Sequence, residues 1–304
     1  MDNLLNQFKV IKTINQHNDE VRNLIKPNDN RIITCSNDTT LKVFEIFEDL
    51  RYRGFTIKKH SSSVTYIDLI NPNKIVSCST DRTIKFISIN ESLYKCEFMI
   101  EKAHKDIIVK VISLSFNRIA SCSNDKSIKI WKSNYPYSDT PISVLNGHDD
   151  IVSSIIQLVY TEYLLSGSHD NTLRIWSLIS YQCVSIISDV YTESANSLLQ
   201  FDDNRVIVGG MERFEVVDIK KGSKMIKMGY DGLREVNAFM KWKNDIVLMG
   251  CRYGFIGIFC INKGNQFYVR DTEHKKSITS LLRKDENSFY STSEDGSIKI
   301  WIYN

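Results

Sequence analysis

The chain has 304 residues, 42% of them hydrophobic and 25% charged, with 39 basic against 36 acidic side chains and a net charge of +3. That balance excludes the concentrated basic face of a dedicated nucleic-acid or membrane-surface binder, and no apolar run approaches the roughly 18 residues of a membrane-spanning helix. Fourteen Tyr, fourteen Phe and only four Pro exclude a disordered or linker-rich chain, and Met1–Phe8 lacks the basic-then-apolar pattern of a secretory signal.

Taken in chain order, the first predicted element is a strand over Phe8–Ile14. A block then opens that recurs along the chain: Thr34-Cys35-Ser36-Asn37-Asp38-Thr39-Thr40-Leu41-Lys42-Val43-Phe44. It returns at Ser77–Ile87, Ser121–Trp131, Ser166–Trp176 and Ser291–Trp301. Its Asp falls at positions 38, 81, 125, 170 and 295, in steps of 43, 44 and 45 and then a gap of 125. Two degraded copies fill that gap. Val208-Gly209-Gly210-Met211-Glu212 precedes Phe214–Val217, and Met249-Gly250-Cys251-Arg252-Tyr253 precedes Ile256–Phe259. A second signal is locked to the first: His17, His60, His104, His148 and His274 precede the five Asp residues by 21 or 22 positions. Tyr191 and Tyr230 take the His slot in the degraded copies.

Each copy reads as four short strands. In the fourth copy these are Ile151–Leu158, Tyr163–Ser168, Thr172–Ser177 and Gln182–Ile187, with a turn at His169-Asp170-Asn171. Four strands in every repeat of about 40–45 residues is the arithmetic of a propeller blade. Gly147-His148 followed by Leu165-Ser166-Gly167-Ser168-His169-Asp170-Asn171-Thr172-Leu173-Arg174-Ile175-Trp176 resembles the WD-repeat family, and the resemblance covers essentially the whole chain. It implies an all-β, seven-bladed propeller, read as one domain over residues 1–304. The strand Phe8–Ile14 is expected to complete the seventh blade, because the last copy ends with three strands. No copy ends in a literal Trp-Asp pair: Trp131 precedes Lys132, Trp176 precedes Ser177 and Trp301 precedes Ile302.

The resemblance also implies a hydrogen-bonded tetrad in each intact blade: His104, Ser121, Asp125 and Trp131; His148, Ser166, Asp170 and Trp176; His274, Ser291, Asp295 and Trp301. The chemistry is self-consistent. Indole only donates, hydroxyl and imidazole do both, and carboxylate only accepts, so a chain Trp → Ser → His → Asp satisfies every member. The first copy (His17, Thr34, Asp38, Phe44) and the second (His60, Ser77, Asp81, Ile87) lack the indole. A Ser–His–Asp set also invites a hydrolase reading, but a triad repeated around a ring is scaffold. The tetrads absorb five of the six histidines and leave only His169, so neither a catalytic site nor a metal site is expected, and no cofactor.

The seven cysteines show no CxxC spacing. Cys35, Cys78 and Cys122 occupy the slot of Gly167, and Cys96 and Cys183 fall in outer strands. A reduced, cytoplasmic or nuclear setting is expected. Arg51 and Arg53, in Leu50-Arg51-Tyr52-Arg53-Gly54, faintly resemble the paired arginines of phosphoinositide-binding propellers, but they are not adjacent and read as a solvated loop. Lys220, Lys221, Lys224 and Lys227, around Gly222, read as a solvated face.

If the tetrads are scaffold, function belongs to the rim of the channel. By resemblance, the ring of partner-facing slots is Glu20, Arg22 and Asn37; Ser63, Thr65 and Thr80; Ile107, Val109 and Asn124; Ile151, Ser153 and His169; Ser194, Asn196 and Met211; Glu235, Asn237 and Arg252; and Ser277, Thr279 and Glu294. The apolar members gather on blades three to five, which gives the candidate partner-binding set Ile107, Val109, Asn124, Ile151, Ser153, His169, Asn196 and Met211. The alternative reading of the aliphatic members is half-buried packing. The expected function is a non-catalytic scaffold that binds a peptide or loop of another protein, and the chain is expected to be monomeric and to bind neither nucleic acid nor membrane. The alternative is the substrate-recognition part of a ubiquitin-ligase or kinase signalling complex.

Overall fold

A computed structural model describes residues 7–90, 93–188, 194–211, 213–229, 235–243, 245–261 and 266–303. It contains seven antiparallel sheets of four strands each, arranged as a β propeller. Blades one to six span residues 21–58, 64–100, 108–145, 152–188, 197–229 and 236–271. Blade seven combines residues 278–303 with the N-terminal strand Phe8–Asn15. In blades one to six the strands run in sequence order from the channel outward; in blade seven Ile278–Arg283, Ser288–Ser293 and Ser297–Tyr303 do so, and the N-terminal strand lies outermost. The turns of the repeated Asp and the segments entering the inner strands form what we term the top face. The hairpins joining inner to second strands and third to outer strands form the bottom face.

Period-two burial explains why the sequence folds this way. The second strands are buried beyond their first residue, and throughout in Arg118–Ser123 and Ser288–Ser293, because each is covered by a neighbouring blade on both sides. The outer strands alternate, as in Cys183–Ser188 with its exposed Val184 and Ile186. Apolar residues between adjacent blades form a chain of separate cores around the ring. One joins Ile155 and Leu164 to Ile112 and Ile130, and the next joins Leu165 and Leu173 to Val206 and Val217.

The closing strand pairs with Ser297–Tyr303 from Phe8↔Tyr303 to Asn15↔Ser297. Phe8 is buried edge-on against Trp242, Phe289 and Tyr303, with ring centroids 5.0–5.6 Å apart. The expected strand is therefore present and one residue longer.

The two degraded copies still form complete blades. In blade six the Asp turn is replaced by a short 3-10 turn, Arg252–Gly254. Gly254 has φ +80°, and a Cβ there would lie 2.2 Å from the His274 carbonyl oxygen, so both conformation and space require glycine. Three residues assigned to the degraded slots, Tyr191, Glu212 and Tyr230, lie outside the described residues.

Candidate partner-binding face

The tetrads form as the donor–acceptor argument requires. Trp176 Nε1 donates to Ser166 Oγ at 2.8 Å, Ser166 Oγ meets His148 Nε2 at 2.7 Å, and His148 Nδ1 meets Asp170 Oδ2 at 2.7 Å. The same path runs through Trp131, Ser121, His104 and Asp125, and through Trp301, Ser291, His274 and Asp295. His17–Thr34 and His60–Ser77 make the shorter versions. Burial pushes His60, His104, His148 and His274 below the ordinary histidine range, against the pull of their Asp partners. For Asp170, burial opposes ionisation, but hydrogen bonds from Thr172, Asp149 N–H and His148 win and bring its carboxyl down to about 2.

Two recurring residues carry as much of this turn as the named four, and the tetrad reading missed them. The Ser two positions before each Asp (Ser36, Ser79, Ser123, Ser168, Ser293) receives the Asp N–H and donates to the carbonyl of the segment entering the inner strand, as Ser168 does to Asp150. The Thr or Ser two positions after (Thr40, Thr83, Ser127, Thr172, Ser297) donates both backbone N–H and hydroxyl to the Asp. The signal was in plain view as Ser-x-Asp-x-Thr/Ser in all five copies that carry the His and the Asp.

The same turns build the top face. In six blades the residue before the tetrad Asp, or its equivalent, donates its N–H to the first slot of its own blade. Examples are Asn124 to the Ile107 carbonyl at 3.0 Å and His169 to the Ile151 carbonyl at 2.9 Å. The slots therefore meet in a ring around the mouth of the central channel, a cavity of about 550 Å³ lined by Val109, Asn124, Ile151, Ser153, His169 and Asn196 of the expected set. Ile107 and Met211 stand outside that lining. Ile107, Val109 and Ile151 are half-buried, and Val109 packs on the core between blades three and four. Met211 is the most open of the apolar four, at 39% exposure.

Two slots expected on the ring are buried, Ser194 at 2% and Ser277 at 6% exposure. The first slot contributes its backbone carbonyl to the turn, as Ser277 does to the Glu294 N–H, and small side chains there are covered by their neighbours.

Several slots are engaged within the scaffold. Thr65, Ser153 and Thr279 donate to backbone carbonyls of the next blade, at Ile108, Ala195 and Val21. Asn37 donates to Glu20, and Thr80 to Ser62. Both ring arginines face ring acids, Arg22 with Glu20 at 3.4 Å and Arg252 with Glu235 at 3.8 Å. By contrast, the side chains of Asn124 and His169 have no hydrogen-bond partner among the described residues. One layer deeper, Lys110 lies 5.0 Å over the Tyr66 ring and 3.4 Å from Ser154 Oγ, and burial lowers its affinity for the proton.

No group of three metal-ligating side chains occurs among the described residues. All seven cysteines are free. Burial pushes the thiols of Cys35 and Cys122 up to about 12, which makes them packing residues rather than nucleophiles. Arg51 pairs with Asp49 in an exposed turn, and Arg53 stacks on Phe55.

The repeat described as WD domain, G-beta repeat, matches residues 8–45, 52–88, 95–132, 139–177 and 266–301, more than half of the chain. No curated protein matches it. Among solved structures, the WD40 β-propeller domain of Doa1 is similar, with a TM-score of 0.84 and 15% identity over 98% of this chain and 97% of that one. At that identity the likeness concerns the fold alone. Repeat matches, tetrad geometry and seven closed blades converge on one assignment: the chain belongs to the WD40 repeat family, whose propellers generally serve as protein-interaction scaffolds.

Proposed function

We propose that this protein is a non-catalytic scaffold that receives a peptide or loop of a partner protein at the top mouth of the channel, over blades three to five. The observation that carries this reading is the contrast among the ring slots. In blades one and two the hydroxyl, amide and guanidinium groups of the slots are engaged by the scaffold, and in blade seven the Thr279 hydroxyl is. Asn124 and His169 instead keep unengaged polar groups beside half-buried Ile107, Val109 and Ile151. Partly buried polar groups without internal partners are suited to hydrogen bonds from a ligand, and the neighbouring aliphatic surface supplies the apolar part of the contact. The Ser–His–Asp sets offer no alternative chemistry, because each serine hydroxyl in the intact tetrads is buried and already bridges indole and imidazole. The pairing of Arg22 and Arg252 with ring glutamates disfavours a phosphopeptide reader, which needs convergent free guanidinium groups.

The test is affinity capture from source cells with Ile151→Glu against Thr279→Glu on blade seven. Ile151→Glu should lose captured partners by about 30-fold or more, while Thr279→Glu loses less. Full capture by a folded Ile151→Glu protein would refute the reading, and so would its outright unfolding, which would make Ile151 a core residue.

A further inference from the structure

The bottom face carries a feature that the top-face reading leaves unused. Between blades four and five lies a groove of about 520 Å³ whose walls include Val159, Tyr160, Tyr163, Val184 and Ile219. Tyr160 is fully exposed, Val184 is 53% exposed and Val159 54%. Tyr160 also holds φ +59°, a left-handed conformation that is unfavourable for a bulky side chain. Neither fact serves folding: the ring buries nothing, and its backbone would be easier for glycine. The loop is nonetheless rigidly placed, because Val159 N–H donates to Gln200 Oε1 of blade five at 2.7 Å, while Thr161 Oγ1 donates to the Leu158 carbonyl.

The charges on this groove are separated. Lys220 lines it from the hairpin that joins the third and outer strands of blade five, and so lies toward the rim. Lys221 follows it, and both N–H groups are pinned by Asp218 Oδ1 at 3.0 and 2.9 Å. Neither amine has an ion-pair partner among the described residues. Asp203 lines the groove from the hairpin of the inner strands, toward the axis. An apolar trough with cationic charge at the rim end and a carboxylate at the axial end has a polarity, and so must its complement.

We infer that this groove binds a short segment of a partner protein in which apolar side chains are followed by acidic residues, the apolar part lying against Tyr160 and Val184 and the acids facing Lys220 and Lys221. The surface is separate from the channel mouth, so its occupant and a top-face ligand can be held together.

The probes are two labelled peptides of about ten residues, with the same leucine-rich core and either glutamates or lysines at one end, measured by fluorescence anisotropy against the full chain. The acidic peptide should bind about tenfold tighter than the basic one at low salt, and the gap should narrow at high salt. The double variant Lys220→Glu/Lys221→Glu should reverse the order. Tyr160→Gly, which removes an exposed ring from a glycine-favouring backbone and should fold at least as well, should weaken both peptides. Ile151→Glu should change neither, which separates this groove from the top face. Equal affinities, an order that survives charge reversal, or no binding of either peptide at about 1 mM would overturn the inference. So would a concentration-dependent dimer abolished by Tyr160→Gly, because the occupant would then be a second copy of the chain.

Discussion

The tetrad of blade four makes a quantitative prediction through the contrast between Asp170→Ala and Asp170→Asn. Asp170 accepts four hydrogen bonds: from His148 Nδ1 at 2.7 Å, Thr172 Oγ1 at 2.7 Å, Thr172 N–H at 2.9 Å and Asp149 N–H at 3.0 Å. Alanine removes all four acceptor contacts. Water can reach the Asp149 N–H in its exposed loop, but His148 Nδ1 is enclosed and keeps only the longer 3.3 Å contact with Thr172 Oγ1, and a buried donor so poorly satisfied costs about 1–3 kcal/mol. Adding about 1 kcal/mol for the lost turn bonds of Thr172 gives a loss of about 3 kcal/mol. Asparagine keeps one acceptor oxygen for Thr172 but presents an amide donor, or a weaker acceptor, to His148. The ring can answer by shifting its proton to Nε2 and donating to Ser166, whose own proton then turns to the Arg174 carbonyl 3.4 Å away. That longer bond makes the rescue partial, so Asn should cost about 1–2 kcal/mol. Urea unfolding followed by indole fluorescence reads both, since Trp176 sits 6.0 Å from the His148 ring. If Asn is as damaging as Ala, the proton-shift argument fails. If Ala is within about 0.5 kcal/mol of the parent, the tetrad is not a buried network at all.

The remaining predictions concern closure, pH and thiols. Phe8→Ala should lower stability by about 3 kcal/mol by emptying the pocket between Trp242, Phe289 and Tyr303, and deleting residues 1–15 should leave an aggregating protein with the edge of Ser297–Tyr303 unpaired; a monomeric truncate with an unchanged melting temperature would refute the closure. Acid should act in two stages. His60, His104, His148 and His274 are held below their unfolded values, so their stabilisation is complete above about pH 6.5 and is lost as pH falls below that; the depressed carboxyl of Asp170 adds stability that is complete above about pH 4 and is lost as pH falls toward 2, so melting temperature against pH should fall in both windows. Native protein should react with a thiol reagent at half-buried Cys96 and Cys183, while Cys35, Cys78 and Cys122 react only on unfolding, which a timed mass analysis distinguishes.

How much of this was legible in the sequence follows from which interactions are local. The blade turn and its tetrad are specified by residues within 28 positions of one another, each with a donor or acceptor role that side-chain chemistry fixes. His148, Ser166, Asp170 and Trp176 could therefore be assigned from spacing, and the Ser168 and Thr172 partners could have been. Closure was legible because a strand with no partner at the start of the chain met a blade with a missing strand at its end. The degraded fifth and sixth copies were placed by period alone, and their sheets form without the tetrad because interblade packing, such as Phe214 against Phe259 at 4.9 Å, does not depend on it.

The faces were harder to read, for a physical reason. Whether Ile107, Val109 and Ile151 are exposed depends on how far each inner strand is turned toward its neighbour, a property of blade-to-blade packing that repeat alignment does not encode. Ser194 and Ser277 show the limit: the right slot and a suitable residue, yet covered. The bottom groove lay beyond any repeat-based reading. The hairpins of the bottom face differ in length and composition from blade to blade, from Asp29-Asn30 in blade one to Leu158-Val159-Tyr160-Thr161-Glu162 in blade four. Repetition marks what every blade needs in order to fold, so residues that break the pattern without loss of the blade are free to serve something else. Tyr160 and its counterpart Phe116 in blade three are exposed aromatics on a backbone that suits glycine, more than a blade needs in order to fold, and Tyr160 lines the groove, which is the reason to look for its partner.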